Sequence, residues 1–212
     1  MVITAQETFN MNYLAIVGTN SSVSTNRMLL QFMKEHFKEE ARIELCEIKD
    51  LPAFYEAEDE QIPQEVEALS VKIRQADGVI IATPEYDHTI TAALKSALEW
   101  ISYTSQALTD KPVLIVGASH GALGSSRAQA HLRQILDSPE LSARLMPASE
   151  FLLGKSQSAF DAGGILINKA KLAELDEIFR EFVLFTELIT KLLSDRSVIK
   201  KDKKFAWQTQ GA

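Results

Sequence analysis

Three short runs of this chain are β-branched and almost wholly apolar, and each leads into a stretch with helical spacing. They are Tyr13-Leu-Ala-Ile-Val17, Gly78-Val-Ile-Ile-Ala-Thr83 and Pro112-Val-Leu-Ile-Val-Gly117. A strand with one wet face alternates apolar and polar residues, so uninterrupted runs belong to a parallel sheet covered on both faces. Arg42-Ile-Glu-Leu-Cys-Glu-Ile48 does alternate and reads as an edge; Leu145 to Leu153 supplies a fifth, less regular run. Helical periodicity predicts helices over about Ser24 to Phe37, Gln64 to Gln75, Thr91 to Tyr103, Ser125 to Leu136 and Asn168 to Leu193. Five strands alternating with five helices imply right-handed crossovers and an α/β, doubly wound, five-stranded parallel sheet with helices on both faces. Such sheets bind ligands beyond the carboxyl ends of the strands, where strand order reverses. The loops after the first, third and fourth strands are therefore the places to look.

Composition narrows the function classes. At 212 residues and 46% hydrophobic, the chain has material for one sizeable core. Its 22 Lys and Arg against 29 Asp and Glu leave a net charge of −7, which opposes nucleic acid and anionic membranes as partners. The single cysteine, Cys46, excludes an internal disulfide framework. His36, His88, His120 and His131 show no ligand spacing with nearby carboxylates, so no metal site is expected. The N-terminus lacks a signal-peptide pattern, and no apolar run reaches the roughly 20 residues of a spanning helix. A cytoplasmic location is expected. Residues 1–11 read as an N-terminal extension, 12–193 as one domain, and 194–212 as a polar, basic tail carrying Lys200, Lys201, Lys203 and Lys204. That tail is either disordered or docked on a partner chain.

The loop after the first strand, Gly18-Thr-Asn-Ser-Ser-Val-Ser-Thr-Asn-Arg27, combines hydroxyls and amides with the free N–H groups of a helix start. Such a loop cradles an anion. It has no Lys of a Walker loop and no Gly-x-Gly-x-x-Gly, and its neutral donors suit one terminal phosphate. The alternative is a plain helix cap, since Ser, Thr and Asn are the favoured capping residues; ten polar positions exceed what a cap needs.

The richest run follows the third strand: Thr83-Pro-Glu-Tyr-Asp-His-Thr-Ile-Thr-Ala-Ala-Leu-Lys-Ser-Ala-Leu-Glu-Trp100. It resembles the Pro-Glu-Tyr-Asn…Leu-Lys-Asn-Ala…Asp-Trp signature of the NADPH-dependent FMN reductases, the flavodoxin-like NAD(P)H quinone and azo reductases. Gly18-Thr19, Ser24, Asn26 and Arg27 are similar to that family's phosphate loop, and Ser119-His-Gly-Ala-Leu-Gly-Ser-Ser-Arg-Ala128 to its glycine-rich loop. The resemblance spans about residues 12 to 193 and implies a flavodoxin-like sheet of order 2-1-3-4-5. It also implies non-covalent FMN with NADPH or NADH as co-substrate, a quinone, azo compound or flavin as acceptor, and a homodimer or homotetramer. On this resemblance the cofactor-binding residues are Gly18, Thr19, Ser22, Ser24, Thr25, Asn26, Pro84, Glu85, Tyr86, Asp87, Ser119, His120 and Gly121. No side chain is expected as a catalytic acid or nucleophile, because the flavin carries the chemistry.

The chain departs from the family pattern at Ser21, where an arginine is usual, at Asp87 for Asn, at Ala92-Ala93 for Pro-Gly, and at Ala122 and Ser125 for glycines. Ionised Asp87 only accepts hydrogen bonds where Asn also donates, which keeps open a flavin-binding electron carrier or redox sensor without turnover. Trp100 and Tyr103 are either core or part of a dimer interface beside the flavin. A third option rests on Gly117-Ala-Ser-His-Gly121, which fits the Gly-x-Ser-x-Gly elbow of serine hydrolases with Ser119 as nucleophile. No acidic residue lies between Ser119 and His131, however, so the usual order of a triad cannot be completed.

Overall fold

The computed structural model describes residues 11–56 and 61–195. Strands β1 (Met11–Val17), β2 (Ala41–Glu47), β3 (Gly78–Ala82), β4 (Pro112–Ala118), β5 (Arg144–Leu145) and β6 (Phe151–Leu153) form one parallel sheet. Its order is β2-β1-β3-β4-β5, with β6 also pairing β4. Helices α1 (Thr25–His36), α2 (Gln64–Gln75), α3 (Ala92–Thr104), α4 (Ser126–Leu136) and α5 (Lys169–Asp195) connect and cover it.

Strand alternation divides the interior into two cores. Tyr13, Ala15 and Val17 share one face with Ile80, Ala82, Leu114 and Val116, packed against α1 and α5. Leu14, Ile16, Val79, Ile81, Val113 and Ile115 face α2, α3 and α4. Both faces being covered is why β1, β3 and β4 have no polar alternation, whereas edge strand β2 exposes every second residue over its first half.

Three boundaries differ from the sequence reading. Met11 is the first residue of β1, paired with Ala41, rather than the last of an extension; residues 1–10 lie outside the described residues. The expected strand from Leu145 to Leu153 is split into β5 and β6, which pair different halves of β4. Pro147 has no N–H to give the ladder, Ala148 takes φ 52°, and Arg133 donates to the stranded Met146 carbonyl at 2.5 Å. Finally, α5 continues through Ser194 and Asp195, so the tail starts later than expected; Lys200, Lys201, Lys203 and Lys204 lie outside the described residues. Asn168 starts this helix, its Oδ1 accepting from the N–H groups of Ala170 and Lys171.

Among the described residues no helix is long and apolar enough to cross a membrane, and no cluster of His, Cys, Asp and Glu is placed to hold a metal. Trp100 is fully buried and donates to the Pro52 carbonyl at 2.9 Å, which makes it core. Cys46 is buried, and burial pushes its thiol up and away from reactivity.

Candidate functional site

Because the strands are parallel, the loops after β1, β3 and β4 emerge at one edge of the sheet. They enclose a cleft of about 510 Å³. Gly18 brings the first two loops together: its N–H donates to the Ala82 carbonyl at 2.8 Å, and a Cβ there would lie 2.5 Å from that oxygen. Thr91 ties the same loops from above, donating to the Gly18 carbonyl at 2.9 Å while accepting from Leu94 N–H to cap α3.

Ser24 is the cap of α1. Its side chain accepts from Arg27 N–H, and its carbonyl accepts from Met28 N–H. Among the described residues no acceptor meets the backbone N–H groups of Val23, Ser24, Thr25 or Asn26, and all four residues line the cleft. Four successive free donors at the positive end of a 12-residue helix form an anion nest. The cation of this loop is already engaged. The Arg27 guanidinium is taken by Glu47, at 2.6 and 2.8 Å, and by the carbonyls of Ser21 and Ser22. Hydrogen bonds from Arg27 hold the Glu47 carboxyl below the usual carboxylate range.

The side chain of Asn26, unlike its backbone N–H, is engaged within the protein. It is buried, and its amide grips both the N–H and the carbonyl of Ala118, at 2.9 and 2.8 Å, joining the start of α1 to the end of β4. Thr25 bonds Ser156 through their hydroxyls at 2.8 Å.

After β3, Tyr86 and Thr89 exchange two backbone hydrogen bonds around Asp87 and His88, whose φ values are 48° and 63°. Two positive φ angles make this a type I′ hairpin turn, a geometry that favours Asn, Asp or Gly. Asp87 therefore meets a backbone demand, whatever its charge does in the cleft. Glu85 reaches across to α4, accepting from the backbone and side chain of Arg127. Burial works against the ionised form of Glu85, yet the hydrogen bonds from Arg127 and from the N–H of Ala128 outweigh it and lower its pKa.

The loop after β4 is laced to a segment that sequence reasoning missed. Ser119 N–H donates to the Leu153 carbonyl, Ser156 N–H to that of Ser119, and Lys155 N–H to that of Gly121. The Gly154-Lys155-Ser156 turn directly after a strand was the available signal. Ser125 stands in for a glycine at φ 70°; its hydroxyl occupies the room left by Gly117, where a Cβ would fall 1.9 Å from Ser125 Oγ.

Eleven of the thirteen candidate residues line this one cleft: Thr19, Ser24, Thr25, Asn26, Pro84, Glu85, Tyr86, Asp87, Ser119, His120 and Gly121. Gly18 and Ser22 do not line it: the Gly18 carbonyl accepts from Thr91 and the Ser22 carbonyl from Arg27. Val23, His88, Leu123 and Arg127 also line it without having been singled out as binding residues. Val23, Tyr86 and Leu123 are 86%, 51% and 54% exposed, an apolar rim above polar donors. Neutral donors for a phosphate below apolar groups for a flat ring are the requirements of a flavin nucleotide.

The NADPH-dependent FMN reductase family matches residues 11–158. The chain belongs to that family. The reductase is 82% identical over 202 residues to the NADH:(hydroxy)cinnamate reductase subunit CrdA of Vibrio ruber, covering 95% of this chain and all of that protein. It is 46% identical to the NADH-dependent flavin reductase subunit 2 of Lactobacillus johnsonii, over 85% of this chain and all of that one. Against the quinone reductase of Escherichia coli K12 it is 40% identical, over 70% of this chain and 78% of the relative. Among solved structures, the flavoenzyme FerB of Paracoccus denitrificans shares its fold, with a TM-score of 0.74 at 24% identity over 84% of this chain and 97% of that one.

The reductase is thus an FMN-dependent NAD(P)H oxidoreductase, and its cleft fits FMN in donor set and rim. The hydrolase option finds no support in the geometry. Ser119 Oγ bonds the Gly121 carbonyl, His131 bonds Thr89, and α4 starts seven residues after Ser119, where an elbow starts its helix at once.

Proposed function

We propose that this chain is the NADH-oxidising, FMN-holding subunit of a two-component reductase. The observation that carries the reading is the run of four N–H groups from Val23 to Asn26 that have no acceptor among the described residues, a neutral seat for one phosphate at the mouth of the sheet. In this reading Thr19, Ser24 and Thr25 surround the phosphate, with Gly18, Ser22 and Asn26 shaping the loop. Pro84 to Asp87 and Ser119 to Gly121 border the ring. Bound there, FMN would supply the hydride and electron chemistry that links reduced nicotinamide to an acceptor. The protein's own contribution is placement: Arg127 fixes Glu85 and the loop after β3, while Val23, Tyr86 and Leu123 would offer apolar contact to the ring at the rim of the cleft.

The names of relatives guide the acceptor. Two relatives matched over their whole length are called subunits, and both names specify NADH. We therefore favour NADH over NADPH. A partner chain, delivering electrons in turn to a small conjugated acceptor of the (hydroxy)cinnamate kind, is favoured over a free quinone, azo compound or flavin. A cytoplasmic location, a single unit over residues 12–193, and a homodimer or homotetramer of this chain belong to the same reading; sedimentation tests the last.

Reconstitution with FMN followed by anaerobic NADH addition is the direct test. Yellow protein should bleach with NADH, and turnover on free quinones should be slow beside turnover with the co-purified partner. Protein that cannot take up FMN, or that takes it up and is not bleached, overturns the reading; full turnover on quinones alone overturns the subunit assignment.

A further inference from the structure

A dinucleotide needs more room than the flavin cleft supplies. A cavity of about 510 Å³ is the size of one drug-sized ligand, and FMN fills that role. A second groove of about 750 Å³ opens beside it, with Ala122 and Leu123 forming a wall common to both. Its floor is the segment from Leu152 to Lys155, and Ile167 and Lys171 stand on its far side. Leu123 and Ile167 are each more than half exposed, offering apolar contact for a flat base.

Among the described residues three cations, Arg127, Lys155 and Lys171, border the cleft and this groove, and two are already neutralised. Arg127 is held by Glu85, and Lys171 by both oxygens of Glu174 at 2.9 and 2.8 Å. The ammonium of Lys155 has no charge partner among the described residues. Its backbone is unusual as well. Lys155 has φ 51° and ψ 39°, a left-handed conformation that glycine adopts at lower cost, and Gly154 stands immediately before it. That conformation is fixed by its N–H bond to the Gly121 carbonyl at 2.9 Å and by Ser156 N–H on the Ser119 carbonyl at 3.0 Å. The strained residue is thus tied directly to the flavin-side loop, with an unpaired charge on the adjoining groove. In a chain of net charge −7, a local cation favours an anionic co-substrate that the chain as a whole repels.

We propose that this groove binds the adenylate half of the reduced nicotinamide dinucleotide and that Lys155 pairs with its pyrophosphate. The proposal rests on the NADH-oxidising reading above and adds where the non-reacting half of that molecule lies.

Three reagents test it on the FMN-loaded protein: ADP-ribose, which is the dinucleotide without nicotinamide; NADH; and 1-benzyl-1,4-dihydronicotinamide, which has no phosphate. In Lys155→Gln, the calorimetric Kd for ADP-ribose should rise roughly tenfold, the loss of one charge-assisted contact. The KM for NADH should rise by a similar factor with kcat held, the signature of lost uniform binding. Efficiency with the benzyl analogue should fall far less. Lys155→Gly removes the same charge while relieving the backbone, so it should weaken ADP-ribose equally and raise Tm. Wild-type protein without measurable ADP-ribose binding overturns the subsite. So does either variant binding ADP-ribose as wild type does, or a parallel fall with both hydride donors. Wild-type protein that oxidises neither donor overturns the reductase reading instead.

Discussion

Two helix N-termini, those of α1 and α4, meet at the cleft, and they are finished in opposite ways. The start of α1 is capped by a neutral hydroxyl, Ser24, and leaves the N–H groups of four cleft-lining residues without an acceptor among the described residues. At α4 the cap residue is Ser125 in a left-handed conformation with no side-chain cap bond. There the carboxylate of Glu85 supplies the missing acceptor from another loop. Both ends carry the same partial positive charge. One is satisfied by the protein itself, and the other is left for a ligand. An anion site is therefore defined less by the presence of a helix start than by the absence of an internal anion already seated on it.

The largest expected effect comes from giving α1 what α4 already has. Asp is as good an N-cap as Ser and interacts better with the helix dipole, so Ser24→Asp should leave the fold as stable as wild type or slightly more so. The same carboxylate would sit beside the phosphate. Like charges about 4 Å apart at an effective dielectric near 20 repel by about 4 kcal/mol, so FMN affinity should drop by roughly a hundredfold or more. Fluorescence titration of the apoprotein with FMN, beside a urea melt, reads both quantities. Retained affinity would mean that the phosphate lies elsewhere.

A smaller effect is expected from removing the internal anion. Glu85→Gln deletes a charged acceptor for Arg127 and should cost about 2 kcal/mol at neutral pH. Its pH dependence follows from sign. The folded-state pKa of Glu85 is lowered, so its stabilisation is present above the ordinary carboxylate pKa and is lost as pH falls through the lowered folded value. Urea melts should show wild type and Glu85→Gln converging on acidification. A constant gap across that range would mean that the carboxylate charge does not hold the end of α4.

The contrast between the two helix starts also shows what could be read from sequence. The strands and the three loops were legible because β-branched runs, hydroxyl-rich caps and turn residues are local signals, whereas the strand order was implied by the family resemblance. The split of the last strand at Pro147 was visible in principle, since the proline is in the run. What no local pattern carried was the pairing between loops: Glu85 on Arg127, Arg27 on Glu47, Asn26 on Ala118, and the segment from Leu153 to Ser156 under the loop after β4. These contacts bridge residues 20 to 92 positions apart in the first three cases. They decide which donors remain free, so the site's residues were legible but the division of labour among them was not. Asn26 looked like a ligand donor because it stands in a phosphate loop; only the fold shows its amide spent on a strand end.

Asp87 gives the finest test of that division. As an exposed residue at φ 48° in a type I′ turn, it has a backbone reason for its identity. Asn satisfies the same turn, so Asp87→Asn should leave the melting curve unmoved, isolating the electrostatic part. The substitution removes one negative charge from a cleft that receives an anion and adds a donor at its edge. For a solvent-exposed group this is worth under about 1 kcal/mol, so FMN should bind about threefold tighter in low salt. Screening shortens the Debye length to about 3 Å at 1 M salt, where a purely charge-based gain vanishes and a gain from the new donor persists. Equal affinity of wild type and variant at low salt would show that Asp87 serves the turn alone, leaving the open end of α1 as the principal determinant of where the anion sits.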